Sequence, residues 1–361
     1  MTSLPFTFLP FMTLEEFLSE WHDDANTVLV HTSGSTGKPK PMRVEKSRMQ
    51  ASARTTCQYL QLRPGDSALL CMPLDYIAGK MMVVRAITCG LRLLTVPPSG
   101  HPLASLSQAP DFAAMVPMQV YNSLQVPRER RLLAHIRHLI IGGGAIDSHL
   151  EHQLRLFPNN IWSTYGMTET LSHVALRRLS GSEASEWYSP LDGVTISVDS
   201  RGCLVVDAPR VCAHPLHTND IVEMDAHGAR FRIIGRIDNV VDSGGIKIQI
   251  EEVEQRLRPL LPYPFMIIKV SDKKFGEAMA LLIQVQQHGC HDAESNENNA
   301  HDAESNENNA HDAESKAMEI CRSELPRYWQ PAHYIAVPLL PLTDTGKPAR
   351  AKAKALYCPD L

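Results

Sequence analysis

VLVHTSGSTGKPKPM, residues 28–42, runs from an apolar stretch into Thr32, Ser33, Gly34, Ser35, Thr36, Gly37 and Lys38. The apolar run predicts a strand, and the glycines predict a loop whose backbone a ligand can approach closely. Hydroxyls and backbone N–H groups converging on one point suit polyphosphate oxygens, and Lys38 and Lys40 add positive charge. The spacing is not that of the Walker loop, which places four residues between its glycine and its Gly-Lys pair and a Ser or Thr after the lysine. Here Pro39 follows Lys38. Taken alone, the string also fits a polar linker rich in Ser, Thr and Gly.

Outward from this loop, helix-like and strand-like pieces alternate. LEEFLSEWHDD (14–24) and KSRMQASARTTCQYLQL (46–62) read as helices. DSALLCMPL, LRLLTVPP and RHLIIGGG read as strands, and MMVVRAITCG as a helix or buried segment. This alternation predicts α/β layering. After about residue 185 short β-rich pieces take over (GVTISVDSRGCLVV, RFRIIGR), and after Asp238 a small α+β unit follows (IKIQIEEVEQRLRPL, FMIIKVSD, AMALLIQVQ, KAMEICRSELPRYW). A boundary is expected between Gly235 and Asp238, giving domains 1–238 and 239–361. Gly142, Gly143, Gly144 and Ala145 end a strand, where α/β sheets bind ligands; a tight strand-to-helix turn explains the same residues equally well.

The composition of the 361 residues, 43% apolar and 21% charged, is that of a folded domain and excludes wholesale disorder. The formal charge is −5, but residues 291–315 hold eight of the 40 acids and no Lys or Arg, so the remainder sets 35 basic residues against 32 acids and carries +3. A body so near neutrality carries no polybasic signature for nucleic acid or an anionic membrane. Segment 291–315 is HDAESNENNA twice and then HDAES, with alanine as its only apolar residue. It reads as a solvated, disordered insertion, and its recurring His291, His301 and His311 pay ordering entropy to meet on a metal. Eight scattered cysteines with no CxxC pair suggest free thiols in a reducing cytoplasm. MTSLPFTFLPFMTLEEF lacks the basic start and small-residue cleavage site of an export signal, and the apolar stretch 68–98 is broken by Asp75, Lys80, Arg85 and Arg92, so no membrane insertion is expected.

TSGSTGKPK resembles the phosphate-binding signature of the adenylate-forming superfamily, the acyl- and aryl-CoA synthetases, luciferases and peptide-synthetase adenylation domains. Four further strings follow in that superfamily's order. YGMTE (165–169) resembles YGxTE, HTND (217–220) stands at a TGD-like position, GRIDNVVDSGGIKIQIEEVE (235–254) resembles the hinge segment, and TDTGKPAR (343–350) resembles the carboxy-terminal NxxGKxxR. The resemblance implies a large amino-terminal ATP- and acid-binding domain with a β-rich subdomain, and a small mobile carboxy-terminal lid. About thirty residues precede the phosphate loop, where most such enzymes carry well over a hundred, which implies a shortened amino-terminal part.

Roles follow by resemblance. The 32–38 loop holds the β- and γ-phosphates of ATP, Gly143, Gly144 and Ala145 flank the adenine, and Tyr165, Gly166 and Met167 lead to Thr168 on phosphate and Glu169 on Mg²⁺. Asp220 accepts from the ribose hydroxyls and Arg236 assists, although Asn219 replaces the usual glycine. Lys347 bridges the attacking carboxylate and the α-phosphate, Asp238 is the hinge, and the segment holding Ser243, Gly244 and Gly245 turns toward CoA for thioester formation.

CMPLDYIAGKMMVVRA (71–86) and YGMTETLSHVALR (165–177) are similar to segments of the o-succinylbenzoate:CoA ligases of menaquinone synthesis. In them an arginine at the spacing of Arg85 follows the PLFHxxG string; Tyr76 and Asp75 replace its usual residues here. Arg85 stands among Met81, Met82, Val83 and Val84, a costly place for a charge without a partner, and a second carboxylate on the substrate suits it. An internal acid or a route to the surface serves the same residue. Tyr76 and Gly142 complete the expected acid side. The implied reactants are o-succinylbenzoate, ATP and CoA. The alternatives are another aryl or acyl acid:CoA ligase, a stand-alone enzyme loading a carrier protein, and a silent nucleotide-binding protein; the oligomeric state stays open.

Overall fold

The computed structural model describes residues 12–31, 41–285, 299–343, 347–359 and 361. The chain divides into two compact units. One is Met1–Asp199 with Val205–Thr218 and Met224–Arg232, and the other is Ser200–Leu204, Asn219–Glu223 and Ile233–Leu361. The division interleaves the β-rich stretch instead of making one cut at 238.

The first unit opens with α1 (Leu14–His22), started by a capping box in which the Thr13 hydroxyl accepts from the Glu16 N–H and the Glu16 carboxylate accepts from the Thr13 N–H. There follow β1 (Thr27–His31), β2 (Pro41–Glu45), α2 (Lys46–Tyr59), β3 (Ser67–Leu70), α3 (Ile77–Cys89), β4 (Arg92–Thr95), β5 (Phe112–Met115), α4 (Pro117–Gln125), α5 (Pro127–His135), β6 (His138–Ile141), α6 (Ser148–Arg155), β7 (Asn160–Gly166), β8 (His173–Arg178) and β9 (Ser189–Pro190). β1 and β2 form an antiparallel pair. The larger sheet runs β4-β3-β5-β6-β7-β8-β9, parallel from β4 to β7 and antiparallel thereafter.

Strand periodicity of two explains its layers. Ala68, Leu70, Phe112, Ala114 and Ile140 face a core with α1, α2 and α3. Their alternates Leu69, Ala113, Met115, Leu139 and Ile141 face a second core with α4, α5 and α6. A sheet covered on both faces accounts for the continuous apolar runs of its strands, and MMVVRAITCG proves to be the buried helix α3 between layers.

β10 (Thr195–Val198), β11 (Cys203–Asp207), β12 (Leu216–Met224) and β13 (Phe231–Arg236) make a four-stranded sheet in that order. The second unit continues with β14 (Val240–Ser243), β15 (Ile246–Gln249), α7 (Ile250–Leu257), β16 (Phe265–Asp272), β17 (Gly276–Gln284), α8 (Asn299–Glu324), β18 (His333–Val337) and α9 (Arg350–Tyr357). Its sheet runs β15-β14-β17-β16, with β18 parallel to β17. Again the strands alternate. Ile267, Met279, Leu281 and Ile283 pack with α7 and α8, and Met266, Ile268, Ala280 and Leu282 pack with α9.

The repeat requires a correction. Residues 291–298 lie outside the described residues, but from Asn299 onward the repeat is the start of α8 and not a disordered insertion. Alanine is the only apolar residue of the segment. Ala313, however, lies four residues before Ala317 and eight before Cys321, so it extends an existing helical stripe into the core, and Ala313 and Ala317 are both fully buried. Glu314 also accepts from the Ala336 N–H at 2.7 Å, tying the repeat to β18. Among the described residues, no helix is long and apolar enough to cross a membrane.

Candidate active site

In the first unit the predicted residues gather at the carboxy-terminal ends of neighbouring parallel strands. β6 ends at Ile141 and leads into Gly142–Ala145. β7, paired with it up to Ile141 opposite Ser163, ends in Tyr165 and Gly166 and leads into a 3₁₀ turn, Thr168–Thr170. Gly142 is fixed by close approach: a Cβ there would lie 2.4 Å from the Thr164 hydroxyl, which donates to the Ile141 carbonyl at 3.3 Å. The glycine therefore serves the packing of two strands, while Gly143 and Ala145 beside it are exposed.

The Tyr165 ring is buried, 5.1 Å from Phe231 and 6.0 Å from Tyr188 between centroids. Its neighbours Gly166 and Glu169 are exposed, whereas Thr168 is buried. The Thr170 hydroxyl accepts from the Met167 N–H at 2.9 Å and donates to the Ser172 carbonyl at 2.6 Å, closing the turn. Leu171, a branched residue buried at 2%, is held at φ +65°, which stores strain directly beside Thr168 and Glu169. Thr32–Lys38 lie outside the described residues. The strands on either side of them pair His31 with Pro41, and His31 also bridges Tyr76, the residue that precedes α3.

Arg85 projects from α3 to the end of this turn. Its guanidinium donates to the Ser172 hydroxyl; that hydroxyl lies 3.3 Å from His173 Nδ1, and His173 Nε2 lies 3.1 Å from the Thr56 hydroxyl. Arg85 is 2% exposed, and among the described residues no carboxylate pairs with it and its Nε has no partner. Burial lowers its pKa to about 10 despite the opposing influence of Cys57 and Cys89. Burial, and then Arg85 itself, hold His173 well below the ordinary histidine value, so it is neutral. Elsewhere a half-buried arginine does find an acid. Arg177 grips Glu151 at 2.6 and 2.7 Å.

In the second unit Asp220, Arg236, Asp238 and Lys347 come together. Arg236 contacts Asp220 at 3.3 Å and Asp238 at 2.7 Å, and the Asn219 amide donates to both Asp238 oxygens at 3.1 and 3.2 Å. Burial opposes the Arg236 charge, but the ion pairs with Asp238 and Asp220 outweigh it and raise its pKa. The Lys347 N–H donates to the Thr343 hydroxyl at 3.0 Å, and Leu342 bridges Pro348. Burial and the neighbouring Arg236 lower its pKa, with Asp220 opposing. Ser243, Gly244 and Gly245 form the β14–β15 turn, where Gly244 and Gly245 take φ of +60° and +86°, the two positive values a two-residue hairpin needs.

Sequence reasoning missed an ion pair between a buried acid and a half-buried arginine. Glu254, the last acid of EEVE, meets Arg350, the last residue of TDTGKPAR, at 2.7 Å, and Arg350 also donates to the Ile267 carbonyl. The signal was available: Glu254 lies four residues after Ile250 and three before Leu257, on the apolar face of α7. Ser172 and His173 were quoted in a motif without a role.

Residues 12–209 match the AMP-binding enzyme family, and the chain belongs to it. It is 28% identical over 280 residues to a 2-succinylbenzoate–CoA ligase of Salmonella typhimurium, covering 73% of this chain and 59% of that one. The chain thus spans about three fifths of the length of the curated relatives it matches. An acyl-CoA synthetase (AMP-forming)/AMP-acid ligase II-like protein of Dyadobacter fermentans is 33% identical over 94% of this chain and 92% of that one, with a TM-score of 0.59. The o-succinylbenzoate CoA synthetase of Bacillus subtilis, in complex with its acyl-adenylate intermediate, shares the fold at a TM-score of 0.70, with 21% identity over 92% of this chain and 69% of that one.

Proposed function

We propose that the chain is an AMP-forming acid:CoA ligase that converts o-succinylbenzoate, ATP and CoA into o-succinylbenzoyl-CoA, AMP and pyrophosphate through an acyl-adenylate. The observation that carries the substrate is Arg85, a buried guanidinium without a carboxylate among the described residues, ending at Ser172 beside the Thr168–Thr170 turn. A buried charge of this kind is retained at a cost unless something pairs with it. o-Succinylbenzoate brings one carboxylate to activate and a second on its ring to fill that place. The names of the Salmonella and Bacillus relatives support the same acid.

The chain's own residues divide the work. The 32–38 loop and Thr168 bind phosphate oxygens, Gly143, Gly144 and Ala145 line the adenine, and Asp220, held in place by Arg236, accepts from the ribose hydroxyls. Lys347 stabilises charge on the α-phosphate and the attacking carboxylate, so it acts in adenylation and not in thioester formation. Glu169 is an exposed carboxylate at a strand end, and no cluster of three acid, His or Cys ligands occurs among the described residues. This donor set fits Mg²⁺, a hard cation that takes one or two carboxylates and completes its shell with phosphate oxygens and water. When bound, Mg²⁺ neutralises the polyphosphate. The β14–β15 turn faces CoA in the second half-reaction, with Asp238 as the hinge.

The test is pyrophosphate release from ATP with a panel of aryl and acyl acids, followed by thioester analysis with CoA. Release with o-succinylbenzoate well above the other acids, and a CoA thioester as product, is the expected result. Release without any thioester would point to loading of a carrier protein, and no release with any acid would overturn the ligase reading.

A further inference from the structure

Cys57 and Cys89 stand apart from the other thiols. Cys57 lies on α2 and Cys89 at the end of α3, and both line an open cavity of about 440 Å³ with Arg54, Gln58, Gln61, Leu62 and Arg63. Cys57 is buried, while Cys89 is half-buried and its thiol donates at 3.8 Å to the carbonyl of Ala53, one turn of α2 before Cys57, which brings the two cysteines side by side. Arg54 and Arg63 are exposed at the cavity, and Arg85 acts on both sulfurs from within the core.

We propose that Cys57 and Cys89 are a redox pair that hydrogen peroxide converts into an intramolecular disulfide. Reactive cysteines occupy electropositive, partly exposed surroundings, whereas buried structural ones are inert. Cys89 is in the first class. The neighbouring Cys57 thiol, and then Arg85 and Arg54, favour its thiolate over the penalty of burial, while Cys89 and burial push the Cys57 thiol up. Among the other described thiols, Cys71 is pushed up to about 12 and Cys321 to about 11 by burial.

The chemistry balances in two steps. The Cys89 thiolate attacks the peroxide, forming an S–O bond as the O–O bond breaks; with one proton this yields the sulfenic acid and water. The Cys57 sulfur then attacks the Cys89 sulfur, the S–S bond forms, and hydroxide leaves with the Cys57 proton as a second water. The two thiols lose two electrons and peroxide gains them. Arg85, whose charge acts on both sulfurs, also donates to Ser172, two residues beyond the end of the Thr168–Thr170 turn.

The test uses the full chain, reduced, freed of reductant and exposed to one equivalent of hydrogen peroxide. Thiol titration in denaturant should fall from eight to six and recover with dithiothreitol. Non-reducing tryptic mapping should join Thr55–Lys80 to Ala86–Arg92, because Pro64 protects the bond after Arg63. Cys71→Ser should leave that link intact, assigning it to Cys57. Cys89→Ser should abolish it, and Cys57→Ser should leave Cys89 as a sulfenic acid that dimedone traps. If Cys57 and Cys89 both remain alkylatable after the other thiols begin to oxidise, or if the loss of two thiols maps to a different pair, the proposal is overturned.

Discussion

Lys80 and Arg85 lie five residues apart on α3 and are both 2% exposed, yet the fold surrounds them differently. Lys80 reaches a Glu20 carboxylate at 3.2 Å, its ammonium lies 4.9 Å from the Phe17 ring centroid, and Glu20 in turn accepts from the Leu29 N–H at 3.0 Å. Arg85 reaches a hydroxyl and leaves Nε without a partner among the described residues. A buried charge whose counter-charge comes from the fold is a structural joint, here between α1, β1 and α3. One whose counter-charge is missing among the described residues is, in the proposed function, completed by the substrate.

Substitutions that separate cations used by the fold from cations used by a reaction sharpen this contrast. The largest effect is expected at Lys347. Lys347→Ala should slow adenylate formation by about 10²–10³, the usual effect of removing one donor at a developing charge, while thioester formation from preformed acyl-adenylate and the melting temperature stay near those of the parent. Stopped-flow measurement of each half-reaction separates the two, and equal losses in both would remove Lys347 from its role. Next comes Lys80→Met, which strands the partly exposed Glu20 and should cost about 2–3 kcal/mol in urea unfolding, somewhat below the usual figure for breaking a fully buried pair. Adding Glu20→Gln should recover most of that loss; a Lys80→Met chain as stable as the parent would mean that the pair is not a joint.

Arg85→Met makes the opposite prediction. Deleting a buried cation that lacks a carboxylate should leave stability unchanged or raise it by about 1 kcal/mol. A loss as large as that of Lys80→Met would place both cations in the same structural class. The smallest effect concerns pH. Burial, reinforced by Arg137 and Arg178, lowers His138 to about 4, and His173 is held well below its ordinary value. The unfolded chain therefore binds more protons than the folded one between about pH 4 and the ordinary histidine value of about 6.5, so stability is full above that window and declines as pH falls through it. His138→Gln should flatten part of this slope in melting curves taken from pH 7 to 4; an unchanged slope would exclude His138 as a contributor.

Much of the fold was legible because the relevant signals are local. The strand before Thr32, the helix of MMVVRAITCG and the glycines after RHLII follow from patterns within a dozen residues. The partner of Lys80 was not, since Glu20 is 60 positions away and nothing in either neighbourhood specifies the other. Glu254 and Arg350 were hidden in the same way, each visible as the end of a motif but not as each other's counter-charge. The repeat misled for a different reason. Its composition describes a solvated chain, whereas the burial of Ala313 depends on the register it shares with Ala317 and Cys321 downstream. Arg85 was legible as a problem, a cation in an apolar run; whether the fold supplied a carboxylate depended on packing alone.

The most direct measurement is the Michaelis constant of Arg85→Gln for o-succinylbenzoate in pyrophosphate release, taken beside that for ATP and for an analogue lacking the ring carboxylate. Loss of a buried charge-assisted pair costs about 2–5 kcal/mol, so the constant for o-succinylbenzoate should rise by more than tenfold, while those for ATP and the analogue stay within about twofold of the parent, since each factor of ten corresponds to about 1.4 kcal/mol. Equal impairment with both acids, accompanied by a lower melting temperature, would contradict the assignment of Arg85 to the substrate's second carboxylate and make it a structural arginine of the core.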